Sequence, residues 1–297
     1  MPNSFQQAFS KRFRRIITNS PDGVPQWLPQ IESGNDLGLF KPTDAPWVVH
    51  ADLTTLIGGI RALLMQALHP GSLAGVADHS RYEADPLGRL AGTTKWLTIL
   101  TFGSTEAIEK ESARVNGMHK KVVGTYEQTP GNQKSYAASD LDLLLWVHVA
   151  FTESFLVTNE IYGVKPIPGG SDNYVAQWSK AVAPLGLAKA PQTKSELIST
   201  IHSFDSVLRA DQRTLSVVEF IKHPPLSMAA RMAYSIMFQA AAVTIEPKYL
   251  KILGVKPLPK RLIIPVGRTL LKLMRLALGG ISPLEEAALA RHARLKK

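Results

Sequence analysis

The sequence contains no cysteine, and this absence excludes several kinds of chemistry at once. Disulfides, thiolate metal sites and cysteine nucleophiles all need a thiol. The common catalytic motifs are missing too, since no HExxH, no GxGxxG, no Walker A loop and no GxSxG elbow occurs. No glutamate stands three residues before a histidine, which is the spacing of carboxylate di-iron bundles. The usual signatures of zinc peptidases, dinucleotide-binding enzymes, NTPases and serine hydrolases are therefore absent.

Long apolar runs are also lacking. A membrane-spanning helix needs about 20 mostly apolar residues, and the closest stretch, 232–245, is shorter. The basic N-terminus is not followed by the apolar segment and small-residue cleavage site of a signal peptide. We therefore expect a cytoplasmic protein.

Positive charge predominates, with 34 Lys and Arg against 24 Asp and Glu and a net charge of +10. It is concentrated in 11–15 and in 256–297. Such segments favour an anionic neighbour, and weak contact with a membrane surface through the basic ends is one interpretation. For the N-terminal arm, packing of Phe5, Phe9 and Phe13 onto the domain is the other interpretation, and we prefer it. Basic and aromatic residues do not interleave outside the N-terminal arm, and no nucleic-acid partner is expected.

Apolar residues, 45% of the chain, recur at helical spacing almost throughout, and no alternating strand pattern is found. The pattern predicts one all-α multi-helix domain over 45–297. An N-terminal part, 1–44, combines an amphipathic arm (Phe5, Phe9, Phe13) with a Pro-rich connector on the surface. Predicted helices cover about 51–68, 87–102, 104–126, 139–161, 172–186, 194–210, 226–245, 259–278 and 283–295.

The predicted helix 104–126 carries a histidine inside its apolar stripe. Ser104 is its predicted N-cap. The stripe advances by three or four residues: Ile108, Ser112, Val115, His119, Val122 and Tyr126. A buried histidine is most often a hydrogen-bonded structural residue, but neutral imidazole is also the commonest protein metal ligand. The pattern alone leaves both interpretations of His119 open.

The predicted helix 139–161 repeats this anomaly. Its segment "LLLWVHVAF" is apolar nearly all round and contains His148, and Thr152 and Asn159 add polar groups to the same stripe. Two histidines buried in neighbouring apolar helices each need a partner to offset desolvation. The pair therefore favours a ligand role more than either histidine does alone.

A third element is "LGRLAGTTKW" (87–96), where Arg89 and Thr93 share a helix face. A guanidinium beside a hydroxyl could bind a carboxylate or orient a bound oxygen species. An exposed arginine near a helix start is the other interpretation. His69, before a proline, is either a helix-terminal or a pocket residue, and the loop-rich stretch that includes His79 could cover a pocket.

Three stretches together resemble the DUF2236 family, which contains the rubber oxygenase (latex-clearing protein) catalytic domain and the ER-bound oxygenase mpaB of mycophenolic acid biosynthesis. They are "GGIRALLMQALHPGSLAGVADHSRYEADPLGRLAGTTKW", the histidine of "NGMHKKV", and "YAASDLDLLLWVHVAFTESFL". The order HP, D-H-S, R-x-x-x-T, H and W-V-H is unusual as a set, and the resemblance spans residues 45–275 in outline.

The resemblance implies a globin-like all-α core that holds haem b and carries out oxygen-dependent chemistry on an apolar substrate. By order and approximate spacing, His119 corresponds to the axial iron ligand, and Arg89 and Thr93 to residues on the side where O2 binds. His148 corresponds to a second histidine of the haem environment, and His69 is expected in the same cofactor-binding set. The propionates would pair with cations, for which the candidates are Arg89, Arg81 and Lys95.

Two departures from the family narrow the expectation. The rubber oxygenases carry a lysine immediately before the threonine, where this chain has Gly92, so an iron capped by lysine is not expected. The secretion signal of the extracellular members is missing, which favours a small apolar or isoprenoid-like substrate over polymeric rubber. A non-catalytic haem- or lipid-binding helical protein is the alternative.

Overall fold

The computed structural model describes residues 11, 14–15, 20, 22–79, 86–129, 131–279 and 281–296. The side chains of 86–90, 129 and 229 are not part of this description. The phenylalanines of the N-terminal arm and Arg81 therefore lie outside the described residues, as does the side chain of Arg89.

Helices account for nearly all regular structure of the described chain, which confirms the predicted all-α class. In chain order they are α1 (Leu28–Glu32), α2 (Ala45–Ala51), α3 (Thr54–Gln66), α4 (Pro70–His79), α5 (Pro86–Phe102), α6 (Thr105–His119), α7 (Leu141–Tyr162), α8 (Gly170–Trp178), α9 (Lys194–Ser203), α10 (Gln212–Lys222), α11 (Met228–Ala242), α12 (Pro247–Leu253), α13 (Lys260–Leu278) and α14 (Pro283–Arg294). A 3-10 segment, Ser179–Leu185, continues α8.

A β-hairpin between α6 and α7 shows that the prediction of no strands was wrong. β1 (Val123–Thr129) pairs antiparallel with β2 (Asn132–Ala137), with Tyr126 opposite Lys134. The predicted helix 104–126 therefore stops at His119. Along β1 exposed residues alternate with covered ones, which is the period of a strand.

Five short helices of the described chain were not predicted, namely α1, α2, α4, α10 and α12. The helix expected at 51–68 is present as α3 (Thr54–Gln66), and the unpredicted α2 precedes it at an angle of 94° across Asp52. The carboxylate of Asp52 accepts the backbone N–H of Thr54 at 2.8 Å and so starts α3. Helix α4 occupies a stretch that was predicted to be rich in loops, and α10 and α12 lie where no helix was predicted.

Helices α3 and α7 pack closely against each other at the centre of the core. A side chain at Gly58 would lie 2.7 Å from Phe155 Cδ1 and 2.8 Å from Thr158 Oγ1, so only glycine permits this approach. Of the described helices, α7 alone is long and apolar enough to cross a bilayer by itself, a property that the sequence analysis missed. Since 61% of its most apolar window is buried inside the protein, α7 serves as the core helix.

The Pro-rich connector enters the core and does not only cover the surface as predicted. Trp27, Ile31 and Phe40 are buried and belong to the main apolar cluster. The division between 1–44 and 45–297 stays a prediction.

Candidate functional site

His119 is the last residue of α6, whereas the sequence predicted a central position in a longer helix. The helix starts as predicted, because Ser104 Oγ accepts the backbone N–H of Ala107 at 3.4 Å. The imidazole is half-buried, and its enclosed Nδ1 has no hydrogen-bond partner among the described residues. Burial, with a smaller effect from the charge of Arg114, lowers the pKa of His119. The ring is therefore neutral at neutral pH and can offer a lone pair to a ligand.

His148 lies in the first half of α7 and is 5% exposed. Its Nε2 is buried without a hydrogen-bond partner in the described part of the chain. Burial lowers the pKa of His148 to about 4. Thr152 does not serve the ring, because its hydroxyl donates to the backbone carbonyl of His148 at 2.7 Å. An unpartnered buried polar group costs about 1–3 kcal/mol, and such a nitrogen fits an imidazole that binds a ligand.

His69 caps α4, and this gives it a structural role. Its Nδ1 accepts the backbone N–H groups of Gly71 at 3.2 Å and Ser72 at 3.4 Å. Burial, followed by the charge of Lys134, lowers the pKa of His69 to about 4. Because Nδ1 is the acceptor, the neutral ring carries its proton on Nε2. The predicted cofactor role of His69 stays a prediction, and the capping geometry accounts for the residue without a cofactor.

Arg89 and Thr93, which were predicted to lie on the side where O2 binds, are both on α5. The backbone of Arg89 is helical, and Thr93 follows one turn later as a half-buried residue. Gly92 is exposed, and no heavy atom of the described residues lies within 4 Å of the place that a Cβ would occupy. The position that carries a lysine in the rubber oxygenases therefore has no close contact with the described residues.

Lys95, a candidate partner of a haem propionate, already forms an ion pair with a carboxylate. Its Nζ lies 3.0 Å from Glu111 Oε2, and Arg114 lies 2.6 Å from the other carboxylate oxygen. Burial by itself raises the pKa of Glu111, but the hydrogen bonds from both cations outweigh it and lower the pKa overall. This ion pair joins α5 to α6 and makes Lys95 a weaker candidate for a propionate.

His50 was missed by the sequence analysis, although it also stands in an apolar stretch. Thr101 Oγ1 lies 2.8 Å from Nδ1 and Tyr174 OH lies 3.0 Å from Nε2. The Thr101 hydroxyl donates to the carbonyl of Leu97 at 2.8 Å, so it must accept from Nδ1. Nε2 then accepts from Tyr174. Both ring nitrogens are satisfied, which makes His50 a structural residue.

Buried polar atoms without a partner concentrate on three helices. The described residues contain seven such atoms, and five of them lie on α5, α6 and α7: Trp96 Nε1, Ser112 Oγ, His119 Nδ1, His148 Nε2 and Asn159 Oδ1. Buried polar groups nearly always have a partner. These are the helices on which the sequence placed the cofactor.

A metal held by protein side chains alone does not fit the described residues, which contain no group of three or more His, Cys, Asp or Glu able to hold one. An iron at His119 or His148 would need most of its ligands from elsewhere. A porphyrin supplies four nitrogen donors and asks the protein for an axial imidazole. His119 and His148 are each able to supply such an imidazole.

A separate cavity of about 800 Å³ lies between α10, α11 and α12. Phe238 and Val255 contribute apolar walls, and Lys222, His223 and Lys256 contribute polar ones. None of the predicted site residues lines this cavity.

Residues 47–277 match the model of a family described as the ER-bound oxygenase mpaB/B' and rubber oxygenase catalytic domain. No curated protein and no solved structure matches the chain. The matched segment runs from α2 to the last turn of α13 and contains every predicted site residue.

Proposed function

The chain belongs to the family of the ER-bound oxygenase mpaB and the rubber oxygenase catalytic domain, and from this premise we propose that it is a haem b-dependent oxygenase or oxidase. Membership in a family of oxygenase catalytic domains supports an oxidoreductase that uses O2. The proposed substrate is a small apolar or isoprenoid-like molecule. The proposed location is the cytoplasm, with contact to a membrane surface through the basic ends.

The observation that carries this proposal is a pair of neutral imidazoles, His119 on α6 and His148 on α7. Each has a buried nitrogen without a hydrogen-bond partner among the described residues. Burial lowers the pKa of both rings. Iron binds the neutral form of imidazole, so neither ring has to lose a proton at neutral pH. His50 is equally buried but uses both nitrogens in hydrogen bonds, which sets the first two apart.

In the proposed site His119 would hold the iron, and His148 would contribute to the haem environment. When bound, haem b supplies a redox-active iron that binds O2. Arg89 and Thr93 add a guanidinium and a hydroxyl on one face of α5, which can donate hydrogen bonds to oxygen atoms of the reactants.

Half-buried apolar side chains on the surrounding helices would form the walls of the site. They are Leu56 and Leu63 on α3, Trp96 and Leu97 on α5, and Phe151 on α7. Such walls exclude water, and they suit an apolar substrate better than a charged one. This supports a small hydrocarbon-rich molecule as the substrate class.

The cofactor is tested by the visible spectrum of purified protein after reconstitution with haem. We expect a Soret band with one haem per chain, and we expect His119→Ala to lose most of the bound haem. The matched control is His223→Ala, because that exposed histidine contacts Glu219 of the same helix. A colourless wild-type protein after reconstitution would overturn the proposal, as would a His119→Ala variant with unchanged haem content and spectrum.

Turnover separates the oxygenase from the alternative, a non-catalytic haem- or lipid-binding protein. Oxygen consumption is measured with haem-loaded protein, a reductant and a set of isoprenoid substrates. We expect Arg89→Ala and Thr93→Ala to keep the Soret band and to reduce oxygen uptake at least tenfold. Haem-loaded protein that consumes no oxygen with any substrate of the set would indicate the binding protein.

A further inference from the structure

Helix α13 exposes an apolar stripe that the protein core does not cover. The exposed fractions are 57% for Leu262, 44% for Val266, 58% for Leu273 and 61% for Leu276. We call these four residues the leucine stripe. The opposite side of the helix is buried, with Ile263 and Leu271 in the core.

A row of cations runs beside the leucine stripe. At about 100° per residue, the four residues of the stripe fall within an arc of about 80°. Arg261, Arg268 and Lys272 fall within a neighbouring arc of about 40°. The exposed surface of α13 is therefore divided lengthwise into an apolar and a basic half.

The surroundings of α13 are free of acidic residues in the sequence. Residues 247–284 contain eight Lys and Arg and no Asp or Glu. Lys248 pairs with Asp205 and Arg275 pairs with Asp52. Within the described residues no ion pair forms at the other six cations: Lys251, Lys256, Lys260, Arg261, Arg268 and Lys272.

We propose that α13 docks this face onto the surface of an anionic lipid bilayer, an inference that rests on the membrane contact of the proposed function and is independent of the haem. A helix of this kind lies in the plane of the interface, with its apolar side chains among the acyl chains and its cations at the headgroups. Leu258 and Ile281, 53% and 47% exposed, extend the apolar surface beyond both ends of the helix. Each lysine or arginine near an anionic surface adds to the attraction.

The charge pattern argues against the other occupants of such a face. A two-fold interface with a second copy would bring two rows of uncompensated cations together, and like charges repel. Binding to single-stranded nucleic acid relies on aromatic side chains that stack on bases, whereas α13 has none. An anionic bilayer offers acyl chains in which the leucine stripe can be buried and negative headgroups with which the cations can pair.

The test is co-sedimentation of the full chain with vesicles of phosphatidylcholine alone or with 30% phosphatidylserine. We expect binding to the anionic vesicles that weakens at 0.5 M salt, and little binding to the neutral ones. Leu262→Ser with Leu273→Ser should weaken binding at least tenfold. The matched control is Leu141→Ser, because Leu141 is 58% exposed on another helix and should leave binding unchanged.

Charge is tested by Arg261→Glu with Lys272→Glu, which should also weaken binding at least tenfold. Lys180→Glu with Lys189→Glu alters two exposed lysines elsewhere by the same net charge and should reduce binding less than threefold. Equal binding to neutral and anionic vesicles would overturn the proposal. So would binding that survives the changes on α13, or a dimer in solution that the two serine substitutions dissociate.

Discussion

The imidazoles of His50 and His148 are both buried, yet their nitrogens have different surroundings. Thr101 and Tyr174 occupy the two nitrogens of His50, while Nε2 of His148 has no partner among the described residues. The sequence places both histidines after valine in apolar stretches, "WVVH" and "WVH". It could mark them as unusual, but it could not tell them apart, because the partners of His50 come from α5 and α8.

Acid should destabilise the protein through His50. Burial lowers the pKa of His50 to about 3 in the folded state, below the value of about 6.5 in the unfolded chain. The stabilisation by the neutral ring is therefore complete above about pH 6.5 and is lost as the pH falls towards 3. Between pH 7 and pH 5 His50 alone should lower the free energy of unfolding by about 2 kcal/mol.

Urea unfolding at pH 7 and pH 5 measures this loss, with His50→Gln as the comparison. The variant is less stable at pH 7 but should lose about 2 kcal/mol less than the wild type between the two pH values. His69 and His148, whose pKa values are also lowered by burial, act in the same direction in both proteins. Equal losses in both proteins would contradict the assignment to His50.

At the scale of elements, helical periodicity predicted most long helices well. The core helix was expected at 139–161 and spans Leu141–Tyr162, and the helix expected at 259–278 spans Lys260–Leu278. The hairpin was missed because Val122 and Tyr126 continue the three-and-four spacing of α6 although both follow its end. The polar residues of β1 give little apolar alternation, and the strand is defined by pairing with β2.

The close contact of α3 and α7 depends on one of two adjacent glycines. A Cβ at Gly58 would lie 2.7 Å from a ring carbon of Phe155, whereas no heavy atom of the described residues lies within 4 Å of a Cβ at Gly59. We expect Gly58→Ala to destabilise the protein by about 1–3 kcal/mol, as overpacking does in other cores. Gly59→Ala should stabilise the protein by up to about 1 kcal/mol, since alanine favours a helix.

Thermal or urea unfolding of the two alanine variants checks this difference. The pair is well matched, because the substitutions are identical and lie next to each other in the same helix. A Gly58→Ala variant as stable as Gly59→Ala would show that the two helices can separate without loss. The interface between α3 and α7 would then not depend on glycine.

At the scale of the whole molecule, helix α14 near the C-terminal end packs against the N-terminal connector. The buried guanidinium of Arg291 donates to the carbonyl of Ile31 and, at 2.8 Å, to the carbonyl of Phe102. Glu285 accepts the indole N–H of Trp47 at 3.1 Å. These long-range contacts could not be read from the sequence, where Arg291 looks like one more cation in a basic C-terminal segment.

Loss of the hydrogen bonds of Arg291 should destabilise the protein more than loss of a charge at the surface. Arg291→Met keeps much of the side-chain volume but leaves the carbonyls of Ile31 and Phe102 without their donor. A hydrogen bond to a charged group contributes about 1.5–3 kcal/mol. We therefore expect Arg291→Met to lower the free energy of unfolding by about 3 kcal/mol, and not by more, because the variant no longer has to bury a charge. Arg294→Met is the control, because that exposed arginine also donates to carbonyls of the connector, those of Glu32 and Gly34. It should lower the free energy of unfolding by less than about 1 kcal/mol. Urea unfolding should separate the variants, and equal losses would mean that burial of Arg291 adds nothing to the closure.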